Sequence, residues 1–165
     1  MFQAFKKAGL RIKPRKCHIC CKSVPYLGHL LSADEIQIDP ARVKAIEEMP
    51  APTKIKSVES FLGLVNYYRR YVRILSKVEA PLRDEIFNLE FIWTKDSQQS
   101  FNEINKSIAL NSVLAYPDPS ATFVVDSDAS DVKLGAVISQ IGPDGSEYPI
   151  TYASRVLAST EKSGQ

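Results

Sequence analysis

Apolar residues recur along this chain at helical spacing in its middle and at strand-like spacing before and after it. Intervals of three and four predict a helix that begins at Asp39-Pro40, a longer one after Ser57, and a third that Thr94 caps. Their predicted apolar faces comprise Val43, Ile46, Met49, Phe61, Leu64, Val65, Tyr68, Tyr71, Val72, Phe101, Ile104 and Ile108. Gly63 costs the second helix about 1 kcal/mol relative to alanine, which predicts a close packing contact there.

Strands are predicted on both sides of these helices. The β-like runs "KCHICCKSV", "YLGHLLS" and "IQID" in the front of the chain favour a small antiparallel hairpin or meander. Three more strands are predicted at 122–127, 134–140 and 147–154, and Asp144-Gly145 is a strong hairpin-turn signal. Shorter helices are expected over 2–8 and 80–86, and another would begin near Ser159. The stretch "AYPDPS" places the main domain boundary between residues 110 and 121, and the fold class is α+β.

Composition supports a globular chain without a membrane span. The 165 residues are 44% apolar, which is enough for a core, and no run of about 18 apolar residues occurs. The N-terminus lacks the features of a signal peptide, so we expect an intracellular protein without a membrane partner. Cys17, Cys20 and Cys21 beside His18 allow a zinc site, but no second Cys/His pair follows at finger-like spacing. We favour the interpretation that these cysteines are strand residues of a protein in a reducing compartment.

Charge is distributed unevenly, although the net charge is only +2. Residues 1–77 (the front half) hold 15 basic and 6 acidic side chains, a balance of +9, whereas residues 78–165 (the rear half) hold 6 and 13, a balance of −7. This asymmetry indicates a front half that binds a polyanion, with a solvated basic face as the alternative.

Two stretches carry candidate chemistry. In "NYYRRYVR", Arg69, Arg70 and Arg73 are candidate phosphate contacts, while the tyrosines on the apolar stripe are better explained as core. In "FVVDSDAS", Asp126 and Asp128 share strand parity and could face one metal site, but clustered aspartates are also typical of solvated turns. Two carboxylates cannot build a two-metal site alone.

Taken in order, the motifs resemble the pol region of gypsy-like LTR retrotransposons. The segments "YLGH", "FLGLVNYYRR", "FIWT", "VLAYPD", "DSDAS" and "GAVISQ" occur in the order and at the spacing of that family over nearly the whole chain. The resemblance implies the end of a reverse-transcriptase palm, a helical thumb, and the first, three-stranded part of an RNase H-like fold. The implied segments are a palm-edge hairpin at 1–38, thumb helices at 39–88, a connecting helix and linker at 89–120, and RNase H at 121–165.

The resemblance also implies roles for individual residues. Tyr26, Leu27, Gly28 and His29 correspond to the primer-grip hairpin, and Gly28 would let the backbone approach the bound strand closely. Asp128 matches the first metal-binding aspartate of RNase H, whereas Asp126 and Asp131 match no invariant catalytic position. Glu161 precedes the family's catalytic glutamate, so that role is not transferred to it.

The family further implies Mg²⁺ as the cofactor of the parent enzyme, and a template–primer duplex or RNA–DNA hybrid and the rest of the polyprotein as partners. The polymerase carboxylates would lie before Met1 and most RNase H carboxylates after the last residue. We therefore expect a fragment truncated at both ends that binds no metal tightly and has neither activity. The alternatives are a non-catalytic nucleic-acid-binding remnant and an inert pseudogene fragment.

Overall fold

The computed structural model describes residues 2–73, 75–87, 90–130 and 133–158, which form helices and two antiparallel sheets. The helices are α1 (Phe2–Lys7), α2 (Pro40–Glu47), α3 (Ile55–Tyr67), α4 (Leu75–Val78), α5 (Ala80–Phe87) and α6 (Lys95–Leu110), with 3₁₀ turns at Pro14–Lys16 and Arg69–Tyr71. The strands are β1 (Val24–Tyr26), β2 (His29–Leu31), β3 (Glu35–Ile38), β4 (Val113–Ala115), β5 (Phe123–Ala129), β6 (Lys133–Ile141) and β7 (Glu147–Val156). This arrangement confirms the predicted α+β class.

The front sheet consists of β1, β2, β3 and β4 in that order, all antiparallel. The predicted meander over β1 to β3 is confirmed, but β4 lies in the stretch that sequence analysis placed in a linker. Leu114 of β4 is fully buried and pairs with Ile36 of β3. A three-residue strand has no recognisable period of its own, and its partner lies far earlier in the chain. Local patterning therefore could not reveal it.

The main core lies between the front sheet and helices α2, α3, α5 and α6. Of the predicted apolar faces, Ile46, Phe61, Val65, Tyr68, Tyr71, Val72, Phe101, Ile104 and Ile108 are buried, and Val43, Met49 and Leu64 pack against them half-buried. The rings of Phe61 and Phe101 lie 4.7 Å apart, which joins α3 to α6. Both predicted helix caps are confirmed. Asp39 Oδ1 accepts from the Ala41 N–H at 2.9 Å, and Thr94 Oγ1 accepts from the Ser97 N–H at 3.0 Å.

The cysteine-containing run is not the strand that was predicted. Only Val24 of "KCHICCKSV" belongs to a strand, because the residues before it have no sheet partner in the described part of the chain and none of their side chains is fully buried. Cys20 and Cys21 are exposed, Cys17 is half-buried, and all three are free thiols. Among the described residues, no group of three or more metal-ligating side chains lies together.

The rear sheet consists of β5, β6 and β7, the predicted antiparallel meander. Its second turn is closed by the Gly142 N–H donating to the Ser146 carbonyl at 2.8 Å, and Gly145 takes a positive φ of 78°. The turn signal at Asp144-Gly145 is thereby confirmed. The helix expected near Ser159 and the turn residue Asp131 lie outside the described residues.

The rear sheet packs against the segment that follows α3. The Ser76 N–H donates to Ser154 Oγ at 2.9 Å, and Arg69 Nη2 donates to the Ser154 carbonyl at 3.2 Å. Val137 and Ile150 are buried, and Tyr152 packs half-buried against the main core. The two sheets therefore share one packed junction, while the predicted segment bounds at 1–38, 39–88, 89–120 and 121–165 stay predictions. None of the helices in the described ranges has the length and apolar content needed to cross a membrane.

The structure corrects the expectation for Gly63. A Cβ built on Gly63 would meet no atom of the described residues within 4 Å, so they make no close packing contact there. Because the position is inside α3 and open, we expect Gly63→Ala to raise the free energy of unfolding by about 0.5–1 kcal/mol. Urea denaturation followed by circular dichroism measures this change. Gly145→Ala is the control and should lower stability, since φ there is 78°; a destabilised Gly63→Ala would contradict the assignment.

A second prediction concerns the fully buried Tyr71, whose hydroxyl has no hydrogen-bond partner among the described residues. Burial raises the pKa of Tyr71 to about 12, against an opposing effect of Arg70. Between the ordinary value of 10 and 12, the unfolded chain loses a proton that the folded chain keeps, so stability falls as pH rises. We expect the free energy of unfolding of the unaltered chain to fall by roughly 1 kcal/mol more than that of Tyr71→Phe between pH 10 and pH 11. Equal pH dependence of the two proteins, in urea denaturation at both pH values, would refute this.

Candidate nucleic-acid interface and carboxylate edge

The turn between β1 and β2 presents an apolar tip to solvent. Leu27 and Gly28 both take positive φ, 48° and 76°, as the two central residues of a type I′ turn do. Glycine adopts this conformation freely, whereas leucine is disfavoured there by about 1–2 kcal/mol. The side chains of Tyr26 and Leu27 are 60% and 69% exposed. The turn thus holds an unfavourable backbone conformation that burial of the leucine does not offset.

Hydroxyl and amide donors from two helices hold the carbonyl groups of this turn. The Tyr67 hydroxyl donates to the Leu27 carbonyl, and the Tyr68 hydroxyl lies 3.5 Å from the Gly28 carbonyl. The N–H of Asp39, at the start of α2, also donates to the Gly28 carbonyl at 3.1 Å. Burial raises the pKa of Tyr68, and the neighbouring Tyr67 raises it further, so the buried hydroxyl keeps its proton at neutral pH.

His29 points into the protein beneath the turn. Its ring centroid lies 5.6 Å from those of Tyr67 and Tyr68 and 5.8 Å from that of Tyr71, on which it stacks. Its Nδ1 lies 3.1 Å from the Leu27 carbonyl, which can only accept, so Nδ1 carries the proton in this contact. The structure therefore places His29 among the residues that support the turn, and its predicted contact with nucleic acid stays a prediction.

Gly28 is approached closely from inside the protein. A Cβ at this position would lie 2.9 Å from the Tyr68 hydroxyl oxygen, inside van der Waals contact. Sequence analysis attributed this glycine to a close approach of the nucleic acid. The approach that the structure shows is that of Tyr68.

The three candidate arginines have different surroundings, although all are exposed. Arg69 donates to the Ser154 carbonyl and is therefore part of the junction with the rear sheet. Arg70 lies near Tyr71, beside the aromatic cluster under the turn. Arg73 lines a small cleft of the rear sheet together with Asp126 and Asp128. Of the three, Arg70 is the one that neither bonds to the rear sheet nor lines its cleft among the described residues.

Asp126 and Asp128 lie on one face of the edge strand β5, as their parity predicted. Asp126 pairs with Val137 of β6, and Asp128 pairs with Gly135. Val137 is buried, so the face of the sheet that these residues share is the one directed toward the junction. The cleft beside them measures about 30 Å³ and is lined by Arg73, Asp126, Ser127, Asp128, Gly135, Ala136 and Val137. Both carboxylates are exposed, and neither forms an ion pair with Arg73.

The described residues do not complete a metal site at this edge. Two carboxylates lie on the same face of β5, and within the described ranges no third His, Cys, Asp or Glu joins them. Asp131 and Glu161 lie outside those ranges. A pair of metal ions needs several converging carboxylates, so Asp126 and Asp128 alone do not form such a site, and the metal-binding role of Asp128 stays a prediction.

Sequence reasoning missed Tyr67, which makes the hydrogen bond to the tip of the turn. The sequence contained a signal for it, because Tyr67 is an aromatic residue one position off the apolar stripe of α3. In the structure its side chain is 51% exposed. A large ring outside the buried stripe indicates a contact with something other than the helical core. The identity of that contact, a turn 40 residues earlier in the chain, has no local signature.

Comparisons with known proteins agree with these features. Residues 93–165 match the family described as RNase H-like domain found in reverse transcriptase. Over 96% of its length the chain is 36% identical to the Pol polyprotein of transposon opus, and over 94% it is 34% identical to that of transposon gypsy, both from Drosophila melanogaster. It covers 17% and 16% of those polyproteins, so it spans about one sixth of the length of these relatives.

Solved structures show the same similarity. The dRH form of the foamy viral protease-reverse transcriptase, in complex with double-stranded DNA, matches 98% of this chain with a TM-score of 0.79 at 25% identity, over 29% of that protein. The same enzyme in complex with RNA/DNA hybrid matches 90% with a TM-score of 0.71 at 26% identity, over 20% of that protein. The chain is therefore similar over nearly its whole length to the Pol polyproteins of gypsy and related retrotransposons, and its residues 93–165 match the RNase H-like domain found in reverse transcriptase.

Proposed function

We propose that the front half of this chain holds a template–primer duplex or an RNA–DNA hybrid within a reverse transcriptase. The observation that carries the proposal is the exposed Tyr26–Leu27 tip, fixed to the end of α3 immediately before an exposed arginine pair. The similar foamy viral enzyme is described in complex with double-stranded DNA and with RNA/DNA hybrid, which supports this kind of ligand.

Charge and surface chemistry support the same partner. The front half carries a balance of +9, which favours the phosphate backbone regardless of sequence. An exposed tyrosine and leucine on a rigid turn offer an apolar surface for a sugar or base, while Arg70 offers a charge for a phosphate. In this proposal the Tyr26–His29 turn orients the end of the primer strand and the arginines bind the backbone beside it.

For the rear sheet, we propose Asp128 as one ligand of a divalent metal in the ribonuclease H of the parent polyprotein. The match of residues 93–165 to the RNase H-like family and the position of Asp128 on β5 support this role. Asp126 shares its face and is a solvated neighbour in this proposal. Mg²⁺ is the proposed ion of the parent enzyme, and no cleavage step is assigned to the two carboxylates alone.

A non-catalytic nucleic-acid-binding role is the second candidate function for the chain by itself. The +9 front half and the exposed turn favour it, since neither depends on a complete metal site. An inert fragment is the remaining alternative from the sequence. Binding and cleavage assays on the same chain separate the three.

The first test is the salt dependence of duplex binding. We expect the chain to bind a template–primer duplex at low salt, and Arg70→Gln to weaken binding and reduce the slope of log K against log salt by about 1. Fluorescence anisotropy at several salt concentrations measures both quantities. Lys106→Gln, an exposed lysine on α6, is the matched control and should leave the slope unchanged. The absence of binding to the unaltered chain at low salt would overturn the proposal.

The second test concerns cleavage. We expect the purified 165-residue chain not to cleave an RNA–DNA hybrid in the presence of Mg²⁺, because its described residues bring together only two carboxylates. A gel assay with a labelled RNA strand measures this. Mg²⁺-dependent cleavage that disappears in Asp128→Asn would contradict the expectation and would show that the chain carries a complete site.

A further inference from the structure

Tyr67 and Tyr68 connect the end of α3 to the carbonyl groups of the exposed turn. We propose that these two tyrosines are positioning residues that hold the Leu27 tip in the orientation that meets the end of a bound primer strand. Tyr67 has the larger effect, because its hydroxyl bonds to the carbonyl of Leu27 itself. The inference rests on the proposed function, because it assumes that the front half binds a duplex. It goes beyond that function by naming the residues that set the geometry of the contact.

The turn needs an external support. Leu27 takes a positive φ while its side chain is 69% exposed, so neither glycine-like freedom nor burial stabilises the conformation. The Tyr67 hydroxyl donates to the carbonyl of this residue. This hydrogen bond fixes the orientation of the peptide that follows Leu27, the central peptide of the turn.

The next peptide is held as well. The Tyr68 side chain is 2% exposed and its hydroxyl lies 3.5 Å from the Gly28 carbonyl, which also accepts from the Asp39 N–H at 3.1 Å. Donors from the end of α3 and the start of α2 thus converge on two successive carbonyls. The turn and these two helix ends form one unit.

This connection fixes the distance between two kinds of contact surface. Arg69 and Arg70 follow Tyr68 directly in a 3₁₀ turn, so the basic residues and the apolar tip are attached to the same end of α3. A duplex that meets the arginines meets the tip at a set spacing. Removing the Tyr67 hydroxyl should leave the charges in place and release only the tip.

The experiment uses the 165-residue chain and a primer–template that carries 2-aminopurine at the primer 3′ end and fluorescein at the far end. Fluorescein anisotropy reports overall affinity, and 2-aminopurine emission reports the contact at the primer end. Tyr67→Phe is expected to leave the apparent Kd within about twofold and to weaken the terminal contact about two- to tenfold, as for one lost hydrogen bond. In the free chain, the same variant should be cut faster by chymotrypsin at Tyr26 or Leu27.

Tyr148→Phe is the matched control, since it also removes a hydrogen-bonded hydroxyl from a half-exposed tyrosine, in this case one that donates to Asp144 at 2.9 Å. It should change neither the terminal signal nor cleavage at the turn. An unchanged 2-aminopurine signal in Tyr67→Phe would overturn the inference while the proposed function stands. A Tyr67→Phe variant that loses all binding together with its thermal stability would show a role in folding and would also overturn it. No binding by the unaltered chain would overturn the proposed function, and the inference with it.

Discussion

The burial of one short segment, from Phe61 to Val72, is the constraint on which the rest of this structure depends. Its first part packs against α6 through the Phe61–Phe101 contact, and its middle lies under the turn of the front sheet. Its last part, the 3₁₀ turn at Arg69–Tyr71, meets β7 of the rear sheet. Burying each large apolar side chain of such a segment contributes about 1.5–3 kcal/mol, so their sum exceeds any single polar contact described above.

This burial also decides what the polar residues of the segment can do. Because Tyr68, Tyr71 and Val72 are buried, Arg69, Arg70 and Arg73 are directed to the surface. They do not form one uniform basic patch. Arg69 donates to the Ser154 carbonyl, Arg73 lines a cleft with the carboxylates of β5, and Arg70 acts electrostatically on Tyr71 under the turn. The same packing therefore separates one structural arginine from the candidate phosphate contacts.

The parts of the fold that sequence predicted have local causes. Asp39-Pro40 and Thr94 begin helices because the capping donors lie two or three residues away, and Asp144-Gly145 closes a hairpin between strands that adjoin it. Gly63 and the cysteine run were misread because their outcome depends on what lies beside them in space. Open solvent surrounds Gly63, and no strand pairs with residues 16–23.

In the candidate site, too, features set within one element were predicted and contacts between distant elements were not. Parity placed Asp126 and Asp128 on one face, and the apolar stripe assigned Tyr68 and Tyr71 to the core, because both follow from the period of a single element. The bond from Tyr67 to Leu27 joins residues 40 apart, and the meeting of Arg73 with β5 joins two sheets. The periodicity of a single helix or strand cannot predict contacts between residues of different elements. Resemblance supplied a role for Asp128, but only the fold shows which residues surround it.

The junction between the rear sheet and the segment that follows α3 is stabilised by packing rather than by charge. Arg73 and the aspartates of β5 are exposed and form no ion pair, and even paired exposed charges contribute at most about 1 kcal/mol before screening by salt. Val137 and Ile150 are buried on the rear sheet, and each is worth about 1.5–3 kcal/mol. Salt should therefore weaken the binding of a polyanion by the front half well before it separates the two sheets.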